Sequence, residues 1–231
     1  MNKNRFIEEL AKLDIYPTSK QLEQLDNYYK ILVEYNKVMN LTGITDYEQV
    51  YLKHFYDSLT LQKIIDLKQD YTLCDIGSGA GFPGIVLKIL FPNLKITLLD
   101  SLNKRIEFLN IVIKKLDLKD IETKCVRVEE YGKEQREKYD LVTARAVAQL
   151  NILLEYAIPL TKVNGYFIPM KANLDEGYEK ALTKLDSQLV KKIEFKLPIE
   201  NSNRTILLIQ KKKKTNKLFP RNNSQIRKHP L

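Results

Sequence analysis

A glycine-rich turn between an apolar run and a helical run constrains this chain more than any other feature. Residues 71–76 (YTLCDI) have the composition of a buried strand, and residues 81–91 (GFPGIVLKILF) continue as a helix. Four of the eight glycines fall between Asp75 and Gly84. Glycine allows positive φ and a close backbone approach to a ligand. Because ligands of open α/β sheets bind beyond the first strand's carboxyl end, the segment predicts a ligand-binding turn.

The spacing of this turn separates three kinds of ligand. A P-loop requires a lysine after its last glycine, whereas Gly84 is followed by Ile85 and Val86. A dinucleotide site fits literally, because residues 79–84 read GxGxxG, but Asp75 would repel a pyrophosphate at the helix start. S-adenosylmethionine carries no phosphate, and its sulfonium and amino group suit a nearby carboxylate. The D-x-G-x-G-x-G spacing favours S-adenosylmethionine, and a nicotinamide dinucleotide stays the alternative.

Short apolar runs alternate with helical segments after residue 70. They predict buried parallel strands at residues 71–76, 95–100, 121–128, 139–144 and 165–171, and a later helix around residues 175–189. Two final strands, near residues 191–198 and 204–210, are joined by a few polar residues and should pair antiparallel. The pattern predicts an α/β, Rossmann-like fold with a mostly parallel seven-stranded sheet, an antiparallel C-terminal hairpin and helices on both faces.

The first 66 residues read as a helical extension without a strand signal. Apolar side chains recur every three or four positions from Leu22 onward, and Thr18 or Ser19 can cap this helix. Gly43 interrupts the pattern, and a second helical stretch follows from Asp46. We therefore divide the chain into a helical extension (1–66), an α/β domain with the glycine-rich turn (67–212) and a basic tail (213–231).

The net charge of +9 is concentrated in the C-terminal tail. Residues 211–231 contain eight Lys or Arg and no acid, and removing these eight from the 38 basic residues leaves 30 against 29 acidic residues in positions 1–210. A nearly neutral body with a basic tail suggests a polyanionic partner, although a solvated, fraying terminus gives the same pattern. The expected RNA-binding residues are Lys211, Lys212, Lys213, Lys214 and Arg221.

Cysteine, histidine and hydropathy patterns exclude several classes of protein. Cys74, Cys125, His54 and His229 are too few for a disulfide framework or a four-ligand zinc site. No apolar stretch of about 18 residues occurs, and the amphipathic N-terminus carries acids, unlike a secretory signal. We expect a cytoplasmic protein that binds no metal and has no membrane partner.

Acidic residues follow the second and third predicted strands. Asp100 can accept both hydroxyls of an adenosine ribose, a role shared by nicotinamide and adenosylmethionine sites, or can cap the following helix. Glu129 and Glu130 are placed to meet an adenine edge, or are solvated loop charges. With Gly77 and Gly79 of the turn, Asp100 is expected to bind the cofactor.

These residues resemble one family, the bacterial small-subunit ribosomal RNA guanine-N7 methyltransferases (RsmG or GidB). The resemblance spans essentially the whole chain, and the GFPG extension of the glycine motif, HFYDSL and ARAVA are its most specific parts. The matching segments are residues 40–44 (NLTGI), 54–59 (HFYDSL), 74–84 (CDIGSGAGFPG), 99–109 (LDSLNKRIEFL), 144–148 (ARAVA), 219–221 (FPR) and 229–231 (HPL). The tail departs from the family where Asn222 and Asn223 stand in place of glycine.

The resemblance implies cofactor contacts at specific positions and a role for the helical motif. The implied contacts are Gly77, Phe82, Val128, Glu129 and Arg145. His54 and Asp57 are expected to orient the helical extension against the sheet rather than to catalyse.

The reaction that the resemblance implies is methylation of guanine N7 in 16S rRNA, either naked or in the 30S subunit. N7 is an unprotonated lone pair, so we expect no general base and catalysis by positioning. Two alternatives stay open: a nicotinamide-dependent oxidoreductase and a non-catalytic RNA-binding assembly factor.

Overall fold

The computed structural model describes residues 1–173 and 177–231. Seven strands form one sheet in the order β3-β2-β1-β4-β5-β7-β6. The strands are β1 (Thr72–Ile76), β2 (Lys95–Asp100), β3 (Ile121–Cys125), β4 (Tyr139–Arg145), β5 (Thr161–Lys171), β6 (Ser187–Lys196) and β7 (Asn203–Lys211). The first five pair in parallel, whereas β7 pairs antiparallel with both β5 and β6. The predicted sheet and its C-terminal hairpin are confirmed.

The strand order reverses at β1, which lies between β2 and β4. Cys74 of β1 pairs with Thr97 on one side and with Val142 on the other. In open α/β sheets a crevice forms at such a reversal, beyond the carboxyl ends of the strands. The glycine-rich turn that follows β1 therefore lies at the ligand-binding edge of the sheet.

Helices cover both faces of the sheet, and the buried apolar residues form two clusters. The helices are α1 (Lys3–Ala11), α2 (Ser19–Met39), α3 (Tyr47–Val50), α4 (Asp57–Leu59), α5 (Gly84–Leu90), α6 (Asn103–Lys115), α7 (Val128–Glu134), α8 (Leu150–Ala157), α9 (Glu179–Lys184) and α10 (Asn223–Lys228). One cluster joins buried Phe6 and Tyr28 of the extension to Phe108 of α6. The other joins Leu153 of α8 to Ile226 of the tail. The domain boundaries 1–66, 67–212 and 213–231 stay an interpretation of the sequence.

The start of the helical extension matches the sequence-based prediction, whereas its middle differs from it. Thr18 caps α2 through a reciprocal capping box with Gln21, as its position predicted. The helical stretch after Asp46 is not uniform, because Tyr51–Tyr56 form a π-helical segment and Thr60–Lys63 a 3-10 turn. A π segment shifts the side chains that follow it around the helix axis, and such segments recur at functional sites.

Several element boundaries differ from the sequence-based prediction, among them the start of β5 at Thr161 instead of residue 165. The third strand ends at Cys125, not near residue 128, because its partner β2 ends at Asp100 and offers no further backbone groups. Val128 consequently begins α7. The helix predicted around residues 175–189 falls partly outside the described residues, and α9 ends at Lys184. Ser187 already belongs to β6, since it pairs with β7.

Candidate cofactor site and the clusters beside it

The glycine-rich turn is tight enough to require its glycines. Gly77 has a φ of +66° and Gly81 a φ of +98°, a region that side-chain-bearing residues avoid. A Cβ on Gly77 would lie 2.7 Å from a methyl group of Val147. A Cβ on Gly81 would lie 2.6 Å from the hydroxyl of Tyr28. The turn is thus packed between the segment after β4 and the helical extension.

Asp75 stabilises this turn from the protein interior. The residue is fully buried, and its Oδ2 accepts a hydrogen bond of 3.0 Å from the N–H of Gly84 at the start of α5. Burial raises the pKa of Asp75 to about 7, although the hydrogen bond from Gly84 lowers it. Its Oδ1 has no hydrogen-bond partner among the described residues. The acid that the motif spacing singled out is therefore enclosed by protein.

A cavity of about 290 Å³ opens beside the turn, at the carboxyl ends of the parallel strands. Its volume is near the lower end of the roughly 300–1,000 Å³ typical of small-molecule sites. Four residues predicted to bind the cofactor line it: Gly77, Asp100, Val128 and Glu129. The lining also includes Tyr156, Asn223 and Arg227, which the sequence did not predict to bind the cofactor. The cavity therefore combines the predicted strand ends with an unexpected wall from the C-terminal tail.

Asp100, an acid that lines this cavity, accepts three hydrogen bonds from within the protein. Its Oδ2 accepts from the N–H of Gly79 at 3.0 Å and from Arg105 at 3.2 Å, while its Oδ1 accepts from the N–H of Leu102 at 3.0 Å. Gly79 itself does not line the cavity and instead holds this carboxylate in place. Asp100 does not cap α6, because the N-cap residue is Leu102 and no side chain caps this helix. Its carboxylate bonds the backbone just before the helix and lines the cavity, and its cofactor role stays a prediction.

Glu129 and Glu130 differ sharply in environment. Both lie in the first turn of α7. Glu129 is 5% exposed and lines the cavity, whereas Glu130 is exposed to solvent. Of the two acids that the sequence placed near an adenine, Glu129 is the one within reach of the cavity.

Phe82 and Arg145 lie in a second cluster next to the cavity rather than in its lining. The ring of Phe82 stacks on His54 with centroids 4.3 Å apart, and the guanidinium of Arg145 lies 5.2 Å from the centre of the same ring. His54 Nε2 is 2.9 Å from the hydroxyl of Thr42. Burial, followed by the charge of Arg145, lowers the pKa of His54 to about 3. Cofactor contacts by Phe82 and Arg145 stay a prediction.

Asp57 links the helical extension to the sheet through two arginines. Its Oδ2 accepts from Arg145 at 3.2 Å, and its Oδ1 accepts from Arg204 of β7 at 2.9 Å. Asp57 is 4% exposed, so both ion pairs are largely shielded from water. Arg145 also donates to the carbonyl of Lys53 at 2.9 Å. No sequence motif marks Arg204, which stands out only as a charge at the start of an apolar strand.

Two of the predicted RNA-binding residues hold the fold together instead. Lys211 is fully buried, where its amine donates to the carbonyl of Ile158 at 3.0 Å and lies 3.3 Å from Glu137. Arg221 makes a two-pronged ion pair with the buried Glu155, at 2.8 and 2.6 Å. The prediction for Lys211 is therefore wrong, because a buried amine cannot reach a phosphate. Arg221 is likewise committed to an intramolecular carboxylate.

The remaining three lysines of the predicted RNA-binding set are exposed. They are Lys212, Lys213 and Lys214. Lys213 makes an exposed ion pair of 3.5 Å with Asp186, a contact that water screens strongly. A role in binding RNA stays a prediction for these three.

Within residues 1–173 and 177–231, no helix is long and apolar enough to cross a membrane. The same residues contain no group of three or more His, Cys, Asp or Glu side chains arranged to hold a metal ion.

Comparison with known proteins identifies the family. A family model described as rRNA small subunit methyltransferase G matches residues 21–215. The chain is 48% identical to a ribosomal RNA small subunit methyltransferase G of Bacillus pumilus over 100% of this chain and 99% of that protein. It is 45% identical to the protein of the same name from Exiguobacterium sibiricum, with all of both chains covered.

A solved structure supports the fold independently. A SAM-dependent methyltransferase from Aquifex aeolicus superposes with a TM-score of 0.52 at 16% identity, covering 71% of this chain and 93% of that one. At this identity the likeness bears on the fold alone. The family match and the full-length relatives together show that the chain belongs to the rRNA small subunit methyltransferase G family.

Proposed function

We propose that this protein transfers a methyl group from S-adenosylmethionine to N7 of a guanine in small-subunit ribosomal RNA. The observation that carries the proposal is the cavity beside the glycine turn, where Asp100 and Glu129 face one space in a member of this family. A ribosomal substrate also implies work in the cytoplasm, where ribosomal RNA is found.

The residues of the cavity suit the nucleoside part of this cofactor. Asp100 would accept hydrogen bonds from the ribose hydroxyls, and Glu129 would accept one from the 6-amino group of adenine. A side chain at Gly77 would meet Val147, which lines the same cavity, so glycine at this position preserves the shape of the site. When bound, the cofactor supplies an electrophilic methyl group. A site with two carboxylates and a turn without lysine is better suited to S-adenosylmethionine than to a ligand that carries a pyrophosphate.

The reaction needs little acid–base catalysis from the protein. Guanine N7 attacks through a free lone pair, so no proton has to leave the base during transfer. His54 is held neutral beside Arg145, and the pKa of about 3 makes it a poor proton acceptor at neutral pH. The protein would accelerate transfer by aligning the two reactants and excluding water, which is the entropic contribution of a preorganised site.

The exposed lysines following β7 would contribute to RNA binding. Lys212, Lys213 and Lys214 would neutralise phosphates without reading sequence, which is how backbone contacts usually act. N7 lies in the deep, narrow major groove of A-form RNA, so the target guanine would have to be unpaired or exposed by ribosome assembly. The substrate is then naked 16S rRNA or the 30S subunit in a state that exposes this base.

The decisive experiment uses methyl-labelled S-adenosylmethionine with purified protein and small-subunit RNA or 30S subunits from cells that lack this methyltransferase. We expect one labelled guanine, identified as N7-methylguanosine by chemical cleavage and mass spectrometry. Cofactor and RNA binding without transfer would favour a non-catalytic assembly factor. Label at another nucleotide position, or on protein, would refute the proposed substrate.

A further inference from the structure

The C-terminal segment, residues 215–231, is docked on the domain rather than extended into solvent. Arg136 donates to the carbonyls of Thr215 and Phe219, each at 2.7 Å. Thr215 is 6% exposed and Ile226 is fully buried in the core cluster that includes α8. The segment is therefore part of the folded domain, whereas its charge alone suggested a basic tail for a polyanionic partner or a fraying terminus.

A shielded ion pair fixes where the end of this segment lies. The carboxylate of Glu155 on α8 is fully buried and accepts three hydrogen bonds from Arg221, one from its backbone N–H at 2.9 Å and two from its guanidinium. A buried carboxylate without its partner would be costly, so this contact holds the segment firmly. It brings α10, which begins at Asn223, against the cavity.

Three side chains at this contact form one hydrogen-bonded group in the cavity wall. The Oδ1 of Asn223 accepts from the hydroxyl of Tyr156 at 2.7 Å and from Nε of Arg227 at 3.2 Å. All three residues line the cavity, as do Val128 and Glu129 of α7. The guanidinium of Arg227 is thus held in the cavity wall by hydrogen bonds with Asn223 and Tyr156.

We propose that α10 is a cofactor-binding element, with Arg227 closing the adenine end of the cavity. The inference rests on the proposed cofactor. A planar guanidinium stacks on aromatic faces and donates hydrogen bonds, so it suits a purine. It does not suit the sulfonium end, where a second cation would be repelled. Asn223 and Tyr156 are positioning residues, because they orient Arg227.

Cofactor binding and docking of the segment then stabilise each other. If the docked segment raises cofactor affinity, the cofactor must by linkage favour the docked segment to the same extent. RNA-binding lysines at residues 212–214 directly precede the segment, so its docking also fixes where they emerge.

The test measures binding of S-adenosylhomocysteine to the full-length protein by calorimetry. We expect Arg227→Ala to raise the dissociation constant about tenfold, as for loss of a hydrogen-bonding charged group, and Tyr156→Phe to raise it about threefold. Lys228→Ala removes a neighbouring cation that does not line the cavity and should bind like the wild type. Because Arg227 is exposed, its replacement should leave the melting temperature unchanged.

Hydrogen exchange supplies a second readout. S-adenosylhomocysteine should slow exchange of the α10 amides in the wild type, and less so in Arg227→Ala at equal cofactor occupancy. Wild-type affinity in Arg227→Ala, or an effect on RNA binding alone, would overturn the inference and make α10 an RNA element. Absence of binding by the wild type would overturn the proposed function itself, so the two failures are distinguishable.

Discussion

Arg145, at the carboxyl end of β4, donates to Asp57 of the helical extension at 3.2 Å, and so joins the central strand to the segment that contains the π turn. Asp57 also accepts from Arg204 of β7 at 2.9 Å. One carboxylate therefore fixes two strands and one helix relative to each other. Arg145 in addition lies over the ring of Phe82 in the glycine turn, so the same arginine connects the turn to the helical extension.

Asp57→Asn should destabilise the protein strongly, because it leaves two largely buried guanidinium groups without a counter-charge. We expect the free energy of unfolding to fall by about 3 kcal/mol, the usual cost of breaking a buried ion pair from one side. Urea denaturation measures the loss, and Asp70→Asn, at an exposed position, is the matched control. Equal stability of the two variants would show that the arginines find other partners.

Asp100→Asn should weaken cofactor binding while leaving the fold intact. A carboxylate that accepts ribose hydroxyls stabilises the complex by about 1.5–3 kcal/mol, equivalent to roughly a 10- to 150-fold change in affinity. Titration with S-adenosylhomocysteine followed by intrinsic fluorescence or calorimetry measures the change. Asp117→Asn, on an exposed residue after α6, is the control. A variant that binds as tightly as the wild type would exclude Asp100 from the cofactor site.

His54 should make the protein less stable in mild acid. Its pKa falls to about 3 in the folded protein from an unfolded value of 6.5, so the unfolded state binds more protons below pH 6.5. The stabilising contribution is complete above pH 6.5 and is lost as the pH falls toward 3, at roughly 1.4 kcal/mol per pH unit. His54→Gln removes the titrating group, so its stability should depend less on pH between 7 and 5. Parallel pH dependence in both proteins would contradict this assignment.

Asp75 should have the opposite effect on stability at neutral pH. Burial raises its pKa to about 7 in the folded protein, so the folded state binds more protons than the unfolded state between pH 4 and 7. Its contribution is present below the unfolded pKa and is lost as the pH rises through 7. Asp75→Asn should therefore gain stability relative to the wild type between pH 5 and pH 8, measured by urea denaturation. A constant difference between the proteins would mean that Asp75 ionises normally.

We expect Lys211 to stabilise the fold, and Lys212, Lys213 and Lys214 to bind RNA. Replacing Lys212, Lys213 and Lys214 with alanine should reduce the slope of RNA affinity against salt concentration by about two, at about 0.7 per phosphate contact. The fold should stay intact. Lys211→Met should instead lower the melting temperature and leave the salt slope unchanged, because its amine is buried against Ile158 and Glu137. Filter binding at several salt concentrations measures both slopes, and identical slopes in all three proteins would exclude this segment from the RNA interface.

The sequence predicted the sheet well because local signals and tertiary structure agree there. The apolar run at residues 95–100 forms β2 without change, and the glycine turn takes the positive φ that its composition demands. The strand predicted over residues 121–128 was too long, because the length of a strand depends on its neighbour, and β2 ends at Asp100. No local pattern contains that information.

The sequence predicted the site residues that lie at or just after the end of a strand. It did not predict those that reach the site through contacts between segments distant in the chain. Asp100 is the last residue of β2 and Glu129 lies in the first turn of α7, shortly after β3, so topology alone brings them to one cavity. Arg227 lines the same cavity because contacts between segments distant in the chain, among them the ion pair of Glu155 with Arg221, dock the tail on the domain. Composition showed only that the tail is positively charged. It could not show that the buried acid Glu155 pairs with Arg221 and helps to position the tail.

Calorimetry with the wild-type protein and Gly77→Ala tests the central claim most directly, namely that the cavity beside the glycine turn binds an adenosyl cofactor. The account predicts one site for S-adenosylhomocysteine, no heat with NADH, and at least tenfold weaker binding in Gly77→Ala, whose new methyl group would meet Val147. Binding of NADH without S-adenosylhomocysteine, or undiminished affinity in Gly77→Ala, would contradict it.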